Sequence, residues 1–140
     1  MGASTVLIAG GYDLPKNVIG ILADCGFTSA EEIMLKIIRQ LKLPRFLLLL
    51  IKLGARIYGG FRLEDANARE AVKHCKIPVI FFHGESDDYV PCEMSVLNYE
   101  ACMSKKRLCT VPGAGHGLSY PVKPEDYLQA LREFAVEWGV

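Results

Sequence analysis

His83-Gly84-Glu85-Ser86-Asp87-Asp88-Tyr89-Val90-Pro91 follows directly on Ile77-Pro78-Val79-Ile80-Phe81-Phe82. The apolar run reads as a buried strand that empties into an acidic loop. Further along, Arg107–Val111 reads as a short strand. It leads into Pro112-Gly113-Ala114-Gly115-His116-Gly117, a Gly-rich loop with one histidine. An Asp after one strand and a His after the next is the order of the last two members of a Ser…Asp…His relay. The missing member is expected upstream. There the chain opens Met1-Gly2-Ala3, which reads as the remainder of a G-x-S-x-G elbow just past its serine.

Outward from these two loops, strands and helices alternate. Val18–Ala23 is the third apolar stretch, and like Ile77–Phe82 it is apolar at nearly every position, as in a parallel sheet covered on both faces. Helical patterns fill the rest. Ala3–Gly10 is short and rich in small residues. Ser29-x-x-Glu32 is a capping box that opens a helix with Ile33, Ile37 and Leu41 on one face. Leu43-Pro44 breaks it, a second apolar helix runs to Tyr58, and Gly59-Gly60 stops that one. Asp65–Lys73 reads as one short helix. Pro91–Ala101 carries Met94, Leu97 and Ala101 at helical spacing. Pro124-Glu125-Asp126 starts a last helix with Tyr127, Leu131, Phe134 and Trp138 inward. The expected class is α/β: about three parallel strands with flanking helices, a partial doubly wound domain over residues 1–140 with a helical insertion at 29–60. Ligands of such sheets lie beyond the carboxyl ends of the strands, which here carry Asp24, Asp87 and, one loop on, His116. The insertion leaves that same rim, a position suited to a lid. The plainer alternative is that it packs on the sheet and closes its core.

Composition narrows the function classes. A hydrophobic fraction of 51% and a mean hydropathy of +0.20 allow a sizeable core and argue against disorder. Lys+Arg and Asp+Glu both number 16, and no basic stripe with interleaved aromatics stands out, so nucleic acid is not an expected partner. Five cysteines, with no C-x-x-C, fit neither a zinc site nor a disulfide framework, and reduced thiols in a cytoplasmic protein are expected. No metal or cofactor is implied. The unbroken apolar run Phe46–Ile51 is far too short to span a bilayer, and no signal peptide is visible.

His116 is flanked by glycines that turn the backbone and leave the imidazole accessible, as a general base requires. Asp87 follows a buried strand, where its carboxylate is able to accept the imidazole N–H and fix the tautomer. Asp88 and Glu85 compete for that role, and all three acids have the alternative of capping the next helix. His83 at the strand end reads as a structural histidine under the loop, and His74 has no assigned role.

Together Met1-Gly2-Ala3, Ala23-Asp24-Cys25-Gly26-Phe27-Thr28-Ser29, His83-Gly84-x-x-Asp87-x-x-Val90-Pro91 and Gly113-Ala114-Gly115-His116-Gly117 resemble the α/β-hydrolases. Within them the pattern is most similar to the capped bacterial esterases and serine-peptidase-like hydrolases. The resemblance covers the whole chain but only the C-terminal half of the family's fold. It implies Asp87 as the acid, His116 as the base, and Met1 as the residue after the nucleophile, whose backbone N–H helps to form the oxyanion hole. It implies a small ester or amide substrate. Ser4, Ser86, Ser95 and Ser119 lie outside any G-x-S-x-G context, so a chain without its nucleophile is expected to be inactive as given. The alternative is a non-catalytic module that binds an apolar ligand through the helical insertion. Self-association is also expected, through the edge strand Val18–Ala23 or through Phe46–Ile51.

Overall fold

Val79–Gly84 (β2) is buried at all six positions, and the other elements are arranged around it. In the computed structural model, which describes residues 1–140, β2 is the centre of a three-stranded parallel sheet of order β1-β2-β3. Its neighbours are Ile21–Asp24 (β1) and Lys106–Val111 (β3). Side chains alternate across a strand, so β2 feeds two cores. Val79 and Phe81 join Leu7, Ile21, Ala23, Val72 and Cys102 on one face, and Ile80 and Phe82 meet Phe134 on the other. The first face is covered by the helices Gly2–Ala9 (α1), Ala68–Ala71 (α4) and Cys92–Ala101 (α5). The second is covered by Pro124–Trp138 (α7), where Tyr127 stacks on Phe82 at 3.8 Å between ring centroids.

The α/β class and the flanking helices match expectation, and the strand bounds are shifted. β1 begins at Ile21 because Val18 is still held in a turn by Pro15 O. β2 begins one residue after Pro78, which has no N–H to give to the ladder. It runs on to Gly84, past the apolar residues, because β3 pairs with it as far as Gly84↔Val111. Register places Asp24 beside Phe82 and Gly84 beside Val111, so the strand ends that carry the acidic and histidine loops share one rim.

Several helices differ from the sequence reading. The expected helix over Asp65–Lys73 is a 3₁₀ turn (Leu63–Asp65), the short α4 and a second 3₁₀ turn (Val72–His74). Asn67 divides them, because its side chain accepts from Glu70 N and caps α4. On α5 the buried positions are the polar Ser95 and Asn98, and Met94, Leu97 and Ala101 are only partly covered. A further short helix, Ser119–Val122 (α6), follows the histidine loop.

The insertion is a pair of helices, Ala30–Gln40 (α2) and Leu47–Tyr58 (α3). Ser29 accepts from Glu32 N, as a capping box requires, but the Glu32 carboxylate turns to the Thr28 hydroxyl and the box is not reciprocal. The inward residues of α2 are Ile33 and Ile38; Leu41 is 62% exposed, because Lys42 adopts φ 54° and ends the helix before another turn. Ile38, Leu48 and Leu63 form a small core separate from the two sheet cores. The excursion is pinned at its base, where Ser29 bridges Asn67 and Ala30 N donates to Ala66 O. It therefore makes its own core and does not close that of the sheet.

Phe81, fully buried on β2, tests this architecture. Phe81→Ala is expected to lower unfolding free energy by about 3–5 kcal/mol, the range of large-to-small core changes. Leu128→Ala, on the outer side of α7, is expected to stay within about 0.5 kcal/mol. Urea titration followed by circular dichroism measures both.

Candidate active site

The acidic loop is organised by one carboxylate. Asp87 is buried, and its Oδ1 accepts from Tyr89 N at 2.9 Å and Val90 N at 2.8 Å. This is a local Asx-type turn, available to an Asp placed just before a helix start. The other oxygen, Oδ2, accepts from His116 Nδ1 at 2.7 Å. His83 is completely buried beneath. Its Nε2 donates to Val90 O at 2.9 Å and lies 3.3 Å from Asp87 Oδ2; its Nδ1 sits 2.6 Å from Ser95 Oγ. Two acceptors face Nε2, so that nitrogen carries the proton and Nδ1 accepts from the Ser95 hydroxyl.

Burial pushes the Asp87 pKa up, but the Val90 N–H, the His116 ring and the Tyr89 N–H more than offset it, and the net shift is downward. The competing acids lie elsewhere. Glu85 accepts from Thr110 Oγ1 at 2.7 Å, and Asp88 is exposed, with its backbone carbonyl held by Lys36 of α2.

The histidine loop is fastened on two sides. On the β2 side, Glu85 N donates to Val111 O and Ser86 N to Ala114 O, both at 3.0 Å. The two backbones come so close that a Cβ on Gly84 would lie 2.2 Å from Ala114 O. No other residue fits at Gly84 without displacing the loop. On the β1 side, Ser119 Oγ donates to Asp24 Oδ1 at 2.8 Å, and Gly117 N donates to Cys25 Sγ at 3.3 Å. Cys25 holds φ 58°, unusual for a residue with a Cβ. Burial pushes its thiol up to about 12, so it stays protonated. His116 emerges with its side chain 40% exposed and the Tyr89 ring 5.3 Å away.

The sequence-predicted pair is thus brought together, and Asp24 joins it at the rim. Met1 makes no hydrogen bond to the pair: it is the N-cap residue of α1, and its carbonyl accepts from Thr5. No serine hydroxyl of the chain donates to His116. Cys25, His83 and Asp87 bring donor atoms within 4.8 Å of one another, but both His83 nitrogens and both Asp87 oxygens already have protein partners, so they fit a metal poorly. Sequence reasoning missed the supports. Ser95 donates to His83, Asn98 Nδ2 donates to Phe27 O at 3.2 Å and Gly26 O at 3.4 Å, and Ser4 Oγ accepts from Phe27 N at 2.8 Å. Their i, i+3 spacing on α5 was the available signal, and it reads as an ordinary polar face.

The profile of the FSH1 serine hydrolases matches residues 26–118, a span that holds β2, Asp87 and His116. The chain belongs to this family. The Bacillus subtilis (strain 168) protein YqkD is similar at 28% identity over 136 residues, covering 96% of this chain and 45% of YqkD. The chain therefore spans less than half the length of that relative. Among solved structures, an esterase of Pyrococcus furiosus superposes with TM-score 0.66 at 21% identity, covering all of this chain and 51% of the esterase. The acylaminoacyl peptidase of Pyrococcus horikoshii has TM-score 0.69 at 13% identity, over 98% of this chain and 22% of the peptidase. The monoacylglycerol lipase of Paleococcus ferrophilus has TM-score 0.67 at 19% identity, over 96% and 65%. At these identities the likeness is one of fold: a part of the α/β-hydrolase fold.

The lowered pKa of Asp87 has a signed consequence. A carboxylate that binds its proton more weakly when folded stabilises the fold at pH above the ordinary Asp value of about 4. That contribution is lost as pH falls through the lowered native value. The stability gap between the protein and Asp87→Asn is therefore expected to be widest near neutrality and to shrink below about pH 4. Urea unfolding across a pH series measures it; a gap unchanged into acid would contradict this account of the carboxylate.

Proposed function

We propose that this chain carries the acid and base of a Ser–His–Asp relay for hydrolysis of esters or amides, of the carboxylesterase or peptidase kind. The contact of 2.7 Å between His116 Nδ1 and the buried Asp87 Oδ2 carries the proposal. With Nδ1–H given to Asp87, Nε2 presents its lone pair outward. In the proposed reaction a serine Oγ attacks the acyl carbonyl as Nε2 takes its proton. The imidazolium, stabilised by Asp87, then returns that proton to the leaving alkoxide or amine. Water repeats the sequence to release the acid. We assign the nucleophile to a serine outside these 140 residues, with Met1 next in sequence and its backbone N–H in the oxyanion hole. The orphan N–H groups at the start of α1 suit that role, and Ser4 ties α1 to the Phe27 loop beside the rim.

We assign α2 and α3 to a cap. Lys36 of α2 donates to the carbonyls of Asp88 and Tyr89 (2.7 Å for the latter), and Tyr89 lies beside His116. No helix is long and apolar enough to cross a membrane. All five cysteines are unpaired, which supports a reducing, cytoplasmic setting.

One observation favours a second reading, a non-catalytic module that self-associates. β1 is an edge strand with Leu22 41% exposed, beside an apolar cleft of about 250 Å³ lined by Ile19, Leu131, Phe134 and Val140. Two experiments separate the readings. The chain alone is expected to take no label from a fluorophosphonate probe by mass spectrometry. Preceded by a hydrolase half ending in Gly-x-Ser, it is expected to hydrolyse p-nitrophenyl esters. His116→Ala should then lower kcat by roughly a thousandfold or more, and Asp87→Asn severely, against a mild effect of Asp88→Asn. Stoichiometric labelling of the chain alone, or an indifferent His116→Ala, refutes the assignment.

A further inference from the structure

The even charge of the whole chain conceals a separation. Between Ile33 and Leu63 there are seven Lys and Arg and no Asp or Glu, which leaves the remainder with nine cations against sixteen acids. Two of the seven are engaged: Lys36 on the acidic loop, and Lys52 between Glu31 at 2.9 Å and Glu64 at 3.0 Å. The other five, Arg39, Lys42, Arg45, Arg56 and Arg62, are exposed and form no ion pair.

The same segment turns an apolar stripe outward. Phe46, Leu49, Leu50, Leu53 and Ile57 recur at i, i+3, i+4, i+7 and i+11, one continuous face of a helix. On an ordinary surface helix that face meets the core. Here the inward side of α3 is Leu48, with Lys52 neutralised by its two acids, and the stripe lies in solvent, Leu49 68% and Ile57 64% exposed.

We infer that α3 and the turn before it form a docking surface for an anionic lipid membrane. The surface joins an outward apolar stripe to the free cations Lys42, Arg45 and Arg56, with Arg39 and Arg62 at its ends, and the acid beside it, Glu64, is paired with Lys52. Lipid phosphates and serine carboxylates meet the guanidinium and ammonium groups at the headgroup level, and the leucines enter the acyl boundary. A twelve-residue helix is about 18 Å long, too short to span and long enough to lie flat. A second copy of the chain is a poorer occupant, because a two-fold contact on this face sets the same unpaired cations against one another. A nucleic acid would leave the stripe in water. The inference stands independently of the hydrolase reading.

Vesicle flotation of the 140-residue chain tests it. Recovery is expected to be at least about tenfold higher on vesicles with roughly a third phosphatidylserine than on pure phosphatidylcholine. About 0.5 M NaCl should weaken but not abolish it, since only the charge contribution is screened. Leu49→Glu/Leu53→Glu should lower recovery at least tenfold with an unchanged thermal melt, whereas Val136→Glu, an exposed apolar position on α7, should not. If the double variant does not fold, Lys42→Gln/Arg45→Gln, in the exposed turn, serves in its place and should lower binding roughly tenfold or more. Equal recovery on both vesicles overturns the proposal. So does binding that high salt abolishes and Leu49→Glu/Leu53→Glu leaves intact, which marks a plain polyanion site. A dimer by light scattering that the double variant dissolves, with no flotation, assigns the face to a second copy and also overturns it.

Discussion

The rim of this sheet depends on one buried carboxylate. Asp87 Oδ1 bonds two consecutive backbone N–H groups and so sets the turn from β2 into α5. Oδ2 is then the oxygen left to face His116. A buried anion is tolerated only when its lone pairs are met, and here three N–H donors meet them, with His83 as a nearby fourth. Position and charge state are therefore set by the same bonds. If the carboxylate is lost, the turn loses its organiser and His116 loses the acceptor that fixes its tautomer.

Around that group the structure favours rigid attachment. The acidic and histidine loops are joined by backbone hydrogen bonds across the Gly84 contact, and the histidine loop is joined to β1 through Asp24 and Cys25. Beneath, His83, Ser95 and Asn98 link the acidic loop to the Gly26–Phe27 turn, and Ser4 links that turn to α1. Three regions far apart in sequence thus share one polar layer under the rim. A hydrogen-bonded layer of this kind, in which Asn98 Oδ1 alone lacks a partner, specifies geometry more sharply than apolar packing, because each bond has a direction as well as a distance. A proposed relay that must hold an imidazole against a carboxylate gains from that stiffness.

The insertion obeys a different logic. Its core is small and its own, and its link to the site runs through the Lys36 side chain and two carbonyls of the acidic loop. Beyond that link, α2 and α3 pack on each other and on the 3₁₀ turn Leu63–Asp65. Charge is also uneven here: Ile33–Leu63 holds seven cations and no acid, and the remainder nine cations and sixteen acids. A protein that looks neutral as a whole presents two electrostatically unlike regions.

By itself the sequence determined the α/β class, the three strands, their parallel order and the pairing of an acidic loop with a histidine loop. These features rest on local signals: continuous apolar runs, Gly-rich turns, and an alternation of strand and helix that allows few topologies. The resemblance to α/β-hydrolases rested on the same motifs. Tertiary structure decided the rest. Periodicity on α5 marked Met94, Leu97 and Ala101 as inward, yet Ser95 and Asn98 are buried, because distant Gly26, Phe27 and His83 supply their partners. The apolar character of α3 was plain in the sequence, but the side it turns inward carries Lys52, paired with Glu31 and Glu64. Motif resemblance singled out Asp87 from Asp88 and Glu85, but the contact of its Oδ2 with His116 depends on the β2–β3 register. A local pattern reports which residues share a face; what that face meets is set by contacts between residues remote in the chain.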